Sequence, residues 1–360
     1  MAFEPPAYSR RQVRKAGDAL RANPIIVVDL MTALPIVSNW RAAHAYPLNT
    51  FQATLRKKLN ALDLRGNEVV VGQRLKRLPS ISGKLRRFDT MALDRMQDIA
   101  GLRAVVPTMS KLRQLRTSYE TGSRFTHELR SVHDYVATPK VDGYRSIHLV
   151  YRYDNPKAPS YEGLHVELQL RTQIQHAWAT AVETVDTFAN QAIKAGRAEP
   201  KWAEFFSLAS AAFALGEKTP TPVRYAGLSQ DDIHEALHEA ERHLRVLVRL
   251  RGFSVAADKI HARGRSNSSY HLVVLNTRDR TLNIKSFSTE ELEEATEAYT
   301  DAEARAADGE PLDAVLVAGG GVTQLRKTYP NYFLDASVFL DRLERICGKY
   351  RTPTPKKGRP

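Results

Sequence analysis

The chain contains a single cysteine, Cys347, among 360 residues. One thiol excludes an intramolecular disulfide framework and a cysteine-rich zinc finger. No apolar run approaches the roughly 18 residues that a membrane-spanning helix needs. The longest run near the N-terminus, IIVVDLM at residues 25–31, is interrupted by Asp29. The opening residues also lack the basic-then-apolar order of a secretory signal, so we expect a cytoplasmic globular protein.

Acidic residues are scarce in the first quarter of the chain. Residues 1–90 contain 16 Lys and Arg residues but only 6 Asp and Glu residues, and therefore carry ten of the thirteen net positive charges. A basic excess placed so unevenly attracts polyanions such as nucleic acid, nucleotides or anionic lipid. A basic face that is merely solvated is the alternative interpretation.

The hydrophobic pattern has no internal repeat and predicts an α+β fold with a mixed β-sheet flanked by helices, followed by a smaller α+β domain. Residues 8–60 are predicted to be helical, and strands are predicted at IAGLRAVV, SIHLVYRY and HVELQLRT. EKTPTPVRYAG, at residues 217–227, has two prolines and a terminal glycine, which is typical of a linker. The predicted boundaries are 1–215 for the first domain, 216–230 for the linker, 231–348 for the second domain and 349–360 for a disordered basic tail.

The second domain is predicted to begin with one long helix, DDIHEALHEAERHLRVLVRLRG. A hairpin at YHLVVLNTRDRTLNIKSF follows, then a helix opened by a capping box at Ser288 and Glu291. The GGG at residues 319–321 follows a predicted strand, but no Lys-Ser/Thr follows it in register, so the pattern of a phosphate-binding loop is incomplete.

Cations cluster in the stretch RLKRLPSISGKLRRF. Five of them lie within 14 positions around Ser80: Arg74, Lys76, Lys84, Arg86 and Arg87. Arginine forks and lysine point charges that converge at a helix entrance can hold a triphosphate. A solvated basic helix is the alternative.

Two carboxylates accompany strand-like segments. Asp98 precedes IAGLRAVV and is a plausible ligand for Mg²⁺, although a helix cap or an Asp–Arg pair would use the same residue. In HVELQLRT, Glu167, Gln169 and Arg171 alternate with apolar residues and should project from one face of a strand. We interpret that face as the floor of a site.

The order of these segments resembles the RelA/SpoT synthetase domain. Its four motifs are present here as RLKRLPSISGKLRR, DIAGLR, DYVATPKVDGYRSIH and ELQLRTQIQHAWA, within about 105 residues. The resemblance spans roughly residues 40–215. It implies an ATP-dependent pyrophosphokinase that transfers the β,γ-diphosphate of ATP to a ribose 3′-hydroxyl. Long members of the family also carry a hydrolase domain, which we do not expect here because the only His-Asp dipeptide, at residues 133–134, lies inside the synthetase motif.

The resemblance also implies roles for matched residues. Arg74 and Arg103 would sandwich the adenine of ATP, with Lys76, Ser80, Lys84 and Arg87 around its phosphates. Asp98 would bind Mg²⁺, and Glu167 would help to position the metal and activate the acceptor hydroxyl. Tyr144 would stack on the acceptor base, and the remaining acceptor contacts would be Lys140, Arg145, His148, Gln169 and Arg171.

The acceptor stays open between a guanine nucleotide, an adenine nucleotide and the 3′-CCA end of tRNA, which a toxic branch of the family modifies. The basic first quarter favours tRNA, as does Thr184 after Glu183, where many alarmone synthetases have histidine. The intact Tyr144 motif favours guanine. In fused members of the toxic branch, a C-terminal antitoxin domain blocks the ATP site until a phage protein relieves it. Residues 231–347 would be that domain, with Tyr329, Tyr332 and Phe333 as an aromatic plug or as core residues.

Two non-enzymatic hypotheses are an inactive alarmone-binding regulator and a purely RNA-binding protein. Retention of Asp98, Glu167 and Tyr144 argues against the first. Transfer of label from ATP would exclude the second.

Overall fold

A computed structural model describes residues 3–22, 26–64, 69–121, 125–188, 199–263, 270–276, 278–279, 281–318 and 332–350. The chain divides into two compact units. The first consists of Met1–Tyr135 and Ser146–Thr172, and the second of Val136–Arg145 and Gln173–Pro360. Within the described ranges, no helix has both the length and the apolar character needed to span a membrane.

The first unit is a mixed five-stranded sheet with helices. Its elements are α1 (Arg10–Arg21), α2 (Val27–Ala43), α3 (Ala45–Ala61), β1 (Val70–Leu75), α4 (Leu78–Arg87), β2 (Ala100–Val106), α5 (Met109–Glu120), β3 (Glu128–Asp134), β4 (Ile147–Arg152) and β5 (His165–Thr172). The strand order is β1-β2-β5-β4-β3, in which β2 and β5 run parallel and the other neighbours antiparallel. This confirms the predicted α+β class with a mixed sheet flanked by helices.

Alternation along the central strands divides the sheet into an apolar and a polar face. In β5, Val166, Leu168 and Leu170 are completely buried, whereas Glu167 and Gln169 point to the other side and stay partly accessible. Because side chains alternate along a strand, the apolar set covers the core under α3 and α5. The polar face is therefore left to build a site.

The second unit combines a helical bundle with a small antiparallel sheet. Its elements are α6 (Gln173–Phe188), α7 (Pro200–Glu217), α8 (Gln230–Leu244), α9 (Val246–Arg263), β6 (Tyr270–Asn276), β7 (Thr281–Phe287), α10 (Leu292–Ala307), β8 (Leu312–Ala318) and α11 (Tyr332–Cys347). The sheet order is β7-β6-β8, and the predicted hairpin is β6–β7. Helices α6, α7, α8, α9 and α11 share one apolar core, to which Trp202, Phe205, Phe206 and Phe339 contribute.

The compact units do not divide the chain near residue 215, where the predicted first domain ends. Helices α6 and α7 pack in the same unit as the C-terminal third. The predicted linker is a short connection between α7 and α8 that contains a single helical turn at Val223–Tyr225. The boundary of a functional synthetase domain near residue 215 thus stays a prediction. In the packing of the chain, α6 and α7 belong with the later helices.

The prediction of one long helix from residue 231 is wrong. The helix breaks at Arg245, whose backbone is left-handed with φ 51°, and α9 then continues to Arg263. Gly252, which ended the predicted helix, lies inside α9. A Cβ there would meet the methyl groups of Leu275 at 2.9 Å, so glycine allows α9 to approach β6.

Several predictions concern residues outside the described ranges. These are the GGG at 319–321, Tyr329 and the tail from residue 351. Tyr332 and Phe333 lie in the first turn of α11.

Candidate active site

The strand register gathers the predicted floor residues on the polar face of the first unit's sheet. Arg103 on β2 pairs with Gln169 on β5, which in turn pairs with His148 on β4. Two residues before Arg103 on β2, Gly101 pairs with Arg74 on β1 and with Glu167 on β5. Residues directly opposite each other across neighbouring strands project to the same side. Four separate predicted motifs therefore contribute to one face.

Asp98 lies between two lysines at the edge of this face. Its Oδ2 accepts a hydrogen bond from Lys76 Nζ at 2.8 Å and its Oδ1 from Lys84 Nζ at 2.9 Å. Lys76 directly follows β1, where its backbone N–H donates to Ile99 O and its carbonyl accepts from Arg41 Nε. All three charged side chains are partly exposed, the most open being Lys84 at 27%. The cluster is therefore fixed but accessible to a ligand.

Glu167 is held on the same face by two donors. His148 Nδ1 donates to Oε1 at 2.9 Å, and Gln169 Nε2 donates to Oε2 at 2.8 Å. Burial opposes the charged form, but the hydrogen bond and charge of His148, the hydrogen bond of Gln169 and the nearby positive charge of Lys84 outweigh it, and the pKa of Glu167 falls to about 2. Lys84 thus links the Asp98 cluster electrostatically to Glu167.

The donor set suits a magnesium ion bound together with phosphates. Among the described residues, no group of three Asp, Glu, His or Cys side chains could hold a metal ion by itself. Mg²⁺ prefers hard oxygen ligands, and usually binds through one or two carboxylates plus substrate phosphates and water. Asp98 supplies an accessible carboxylate of this kind and Glu167 a second candidate, so the residues present fit the predicted metal.

The remaining predicted ATP-binding residues lie on β1, β2 and α4. Arg74 is exposed and Arg103 partly buried, on neighbouring strands. Ser80 is exposed near the start of α4, and Arg87 is exposed in its last turn.

The predicted acceptor loop belongs to the second unit and packs on α7. Gly143 has φ 91°, and a Cβ there would meet Ser210 Cβ at 2.8 Å, so the position requires glycine. The ammonium group of Lys140 lies 5.2 Å from the centre of the Tyr144 ring, which is partly buried and also contacts Trp178 edge-on. A cation and an aromatic face are thus presented together.

Two of the predicted acceptor residues are buried: Arg171, which is 4% exposed, and Arg145. The side chain of Arg145 is 2% exposed, and Nη1 donates to Glu217 Oε2 at 2.6 Å while Nε donates to Ser210 Oγ at 3.1 Å. These contacts fix the loop to α7. The geometry supports an anchoring role for Arg145, not direct contact with a ligand.

Sequence reasoning missed several supporting residues. No local pattern marks Glu217 as the partner of Arg145, because 72 positions separate them. His148 was predicted as an acceptor contact, and in the structure its imidazole donates to Glu167. Tyr135 packs edge-on against the His148 ring at 5.3 Å, which helps to fix the imidazole. In β4 only His148 and Arg152 are polar, so the strand by itself does not mark His148 as a neighbour of Glu167.

The fold and the face define an α+β protein whose sheet carries cations and carboxylates suited to binding phosphates. Residues 73–189 match the family model described as a region found in RelA / SpoT proteins. This match confirms that the four motifs resemble the RelA/SpoT family over this region of the chain.

The sequence matches to individual relatives cover only part of each relative's length. The GTP pyrophosphokinase YjbM of Bacillus subtilis is 35% identical over 115 residues, which are 31% of this chain and 53% of that protein. An uncharacterized protein of Mycobacterium tuberculosis is 28% identical over 178 residues, 49% of this chain and 59% of that protein. The chain thus spans little more than half the length of these curated relatives.

Among solved structures, small alarmone synthetase 1 of Bacillus subtilis bound to its product pppGpp has a TM-score of 0.41 and 25% sequence identity, covering 48% of this chain and 89% of that chain. Small alarmone synthetase 2 of the same organism has a TM-score of 0.41 and 19% identity, covering 50% of this chain and 94% of that chain.

Proposed function

We propose that this protein is an ATP-dependent pyrophosphokinase. The observation that carries the proposal is the pairing of Lys76 and Lys84 with Asp98 beside Glu167 on one sheet face. Ammonium groups that hold a carboxylate can hold phosphate oxygens in the same way. Transfer of a phosphoryl or diphosphoryl group needs mainly positioning and charge neutralisation, and this face offers both.

In the proposed reaction, a ribose 3′-hydroxyl oxygen of the acceptor bonds to the β-phosphorus of ATP. The bond from that phosphorus to the bridging oxygen of the α-phosphate breaks, AMP leaves, and the hydroxyl proton is released. Lys76 and Lys84, with Ser80 and Arg87, hold the phosphates, and Arg74 and Arg103 flank the adenine. A Mg²⁺ ion held by Asp98 and Glu167 would neutralise phosphate charge when bound.

Glu167 orients the acceptor hydroxyl more than it removes its proton. A carboxylate whose pKa is about 2 is ionised at neutral pH and is a weak base. Each carboxylate oxygen has a second lone pair beyond the hydrogen bonds from His148 and Gln169. Glu167 can therefore accept a hydrogen bond from the hydroxyl, or bind the metal, without losing its supports.

A guanine nucleotide, GDP or GTP, is the first candidate acceptor. Support comes from a curated relative named a GTP pyrophosphokinase and from a solved neighbour bound to pppGpp. Tyr144 would stack on the base, with Lys140 near the acceptor phosphates. His148, Gln169 and Arg171 would support the floor, and Arg145 would anchor the loop.

The 3′ end of tRNA is a second candidate acceptor. The ten excess positive charges in residues 1–90 favour it, because phosphate contacts dominate affinity for nucleic acid. Thr184, where many alarmone synthetases have histidine, is completely buried and donates to Thr180 O inside α6. This candidate includes the expectation of a toxin used in phage defence, in which residues 231–348 restrain the synthetase until a phage protein binds them.

The acceptor is tested by incubating the full chain with ATP labelled at the γ-phosphate and Mg²⁺, together with GDP, GTP, AMP or deacylated tRNA. Label on GDP or GTP alone supports the first candidate, and label on tRNA alone supports the second. If tRNA is the acceptor, its KM should rise steeply with salt. ATP binding without transfer to any of the four would indicate the inactive regulator.

The active face is tested by Glu167→Gln, which keeps the shape but removes the charge. We expect label transfer to fall by about 100-fold or more, while the variant still folds cooperatively. Glu162→Gln is the matched control, because Glu162 is 53% exposed and lies 3.6 Å from Arg152 in a surface ion pair. Undiminished transfer by Glu167→Gln would contradict the assignment of this residue.

A further inference from the structure

A small cavity of about 200 Å³ lies within the second unit, bordered by α7, α8, α11 and the turn after α11. Its polar lining consists of Gln230, His234, Arg342, Arg345 and Lys349. The cavity is closed on the inner side by apolar residues of α7 and α11. No motif of the synthetase region contributes a side chain to it.

Three cations converge on this cavity. Arg342 and Arg345 are three residues apart on α11, and Lys349 follows four residues later, so all three project to the same side. In the part of the chain that the structure describes, none of these three side chains forms an ion pair, whereas Glu344 on the same helix pairs with Arg251 at 2.7 Å. No ion pair with a described side chain therefore neutralises these three cations directly.

His234 adds a buried donor to the cavity. Its side chain is only 6% exposed, and neither ring nitrogen has a hydrogen-bond partner among the described residues. Burial, followed by the charge of Lys349, lowers the pKa of His234, although the carboxylate of Asp231 opposes the shift. Its ring nitrogens are not among the fully buried atoms that lack a partner, so they are open to water or to a ligand in the cavity.

Gly216 makes room for one of the cations. A Cβ at this position in α7 would overlap Arg342 Nη2, so the guanidinium lies across the helix where a side chain is missing. The last turn of α7 thus allows Arg342 to reach the cavity. Any larger residue at position 216 would displace it.

We infer that this cavity binds a small polyanion that carries phosphate groups, such as pyrophosphate or the terminal phosphates of a nucleotide. Three cations and one imidazole donor match a group with several negative oxygens. The volume lies below the roughly 300 Å³ at which pockets for whole small molecules begin. A nucleotide would therefore insert its phosphates and leave its base outside.

The test is an NMR titration of the full chain with sodium pyrophosphate, observing the imidazole resonances. The His234 resonance is identified by its loss in His234→Gln. Because His234 lines the cavity, its chemical shift reports binding there and not the binding of anions to the sheet face. We expect it to shift with saturation, and Arg345→Gln to weaken the fitted affinity by about tenfold, the loss of one charge-assisted contact.

Two further variants separate a built site from general charge attraction. Arg242→Gln removes the same charge from an exposed position on α8, outside the cavity lining, and should leave the affinity within about twofold. Gly216→Ala should weaken binding by displacing Arg342 without lowering the unfolding midpoint. Repeating the titration with ATP and GTP distinguishes the sources: tighter binding than pyrophosphate identifies a nucleotide ligand, and weaker binding identifies the free polyanion. A His234 resonance that does not move, or equal weakening by Arg345→Gln and Arg242→Gln, would overturn the inference.

Discussion

At the scale of single residues, Asp98 keeps two lysines in place for phosphate. Without a ligand, both of its oxygens accept hydrogen bonds from ammonium groups. A phosphate that binds Lys76 and Lys84 must therefore compete with Asp98, unless a metal ion takes over the carboxylate. This competition would tie phosphate binding to the metal.

Asp98→Asn separates these two effects. The variant removes the competing charge, so we expect metal-free ATP to bind about tenfold more tightly in EDTA, measured by calorimetry. Label transfer in Mg²⁺ should fall by about 100-fold or more because the metal ligand is lost. Asp89→Asn, an exposed carboxylate in the same unit, is the control and should change neither quantity. Full transfer by Asp98→Asn would remove this residue from the metal site.

His44 makes a second prediction at the residue scale, concerning acid stability. It is buried, and its Nδ1 donates to Trp40 O at 2.6 Å. Burial lowers the pKa of His44 to about 4. Because this value lies below the ordinary histidine pKa of about 6.5, the unfolded chain takes up a proton first as the pH falls. The stabilisation is complete above about pH 6.5 and is lost progressively down to about pH 4.

Urea unfolding at several pH values measures this effect. The loss due to His44 should reach about 2 kcal/mol at pH 5. His44→Gln removes the titrating group, so its free energy of unfolding should depend less on pH over this window. Other groups titrate equally in both proteins and cancel in the comparison. Identical pH dependence of the two proteins would contradict the assignment.

At the scale of elements, the local hydrophobic pattern predicted the helices and strands whose buried residues recur with the spacing of that pattern. Strands β2, β4 and β5 were predicted because β-branched and apolar residues alternate or run together there. The polar face of β5 followed directly from that alternation, and with it Glu167 and Gln169. The site residues that the sequence predicted are largely those on strands, where alternation determines the face of the sheet to which each side chain projects.

The break between α8 and α9 could not be predicted, because no glycine or proline marks it. Arg245 adopts a left-handed conformation, which arginine seldom does. Glu241 O accepts from Arg245 N at 2.7 Å, and Leu244, Val246 and Leu247 on either side of the break are all buried. Tertiary packing therefore overrides a continuous helical pattern. The burial of Arg145 was missed for a related reason, since its partner Glu217 is remote in sequence.

The end of α7 provides a prediction about helix capping. Lys218 is exposed, and its backbone is left-handed with φ 54° and ψ 48°. Glycine adopts this conformation without the steric cost of a Cβ. We expect Lys218→Gly to raise the free energy of unfolding by about 1 kcal/mol, measured by urea unfolding. Lys218→Ala removes the same charge and keeps the Cβ, so it should not stabilise; equal effects of the two would assign the change to charge.

At the scale of the whole molecule, the second unit has a core that includes helices from both sides of residue 215. This packing limits the experiments that can test an inhibitory role for the C-terminal third. Helix α6 and all of α7 except its last two residues lie within residues 1–215, and α8, α9 and α11 lie after them, but all five helices share one core. Phe206 and Phe213 on α7 contact Phe339 on α11. Removing the later helices would therefore uncover the aromatic face of α7.

A chain that ends at residue 215 should consequently fold poorly. Each uncovered phenylalanine costs about 1.5–3 kcal/mol of hydrophobic burial, and several such residues together approach the whole stability of a typical domain. We expect this chain to bind a hydrophobic dye and to aggregate at concentrations at which the full chain does not. A chain that ends at residue 350, which lacks only the basic tail, should unfold like the full protein.

The same packing determines how restraint of the synthetase by residues 231–348 should be measured. Weak toxicity of the chain ending at residue 215 would reflect misfolding, so the comparison belongs to full-length variants with exposed substitutions on α8 or α11. A chain ending at residue 215 that unfolds cooperatively and stays monodisperse would contradict the prediction. In that case α6 and α7 would form part of a separable synthetase, as the boundary predicted near residue 215 requires.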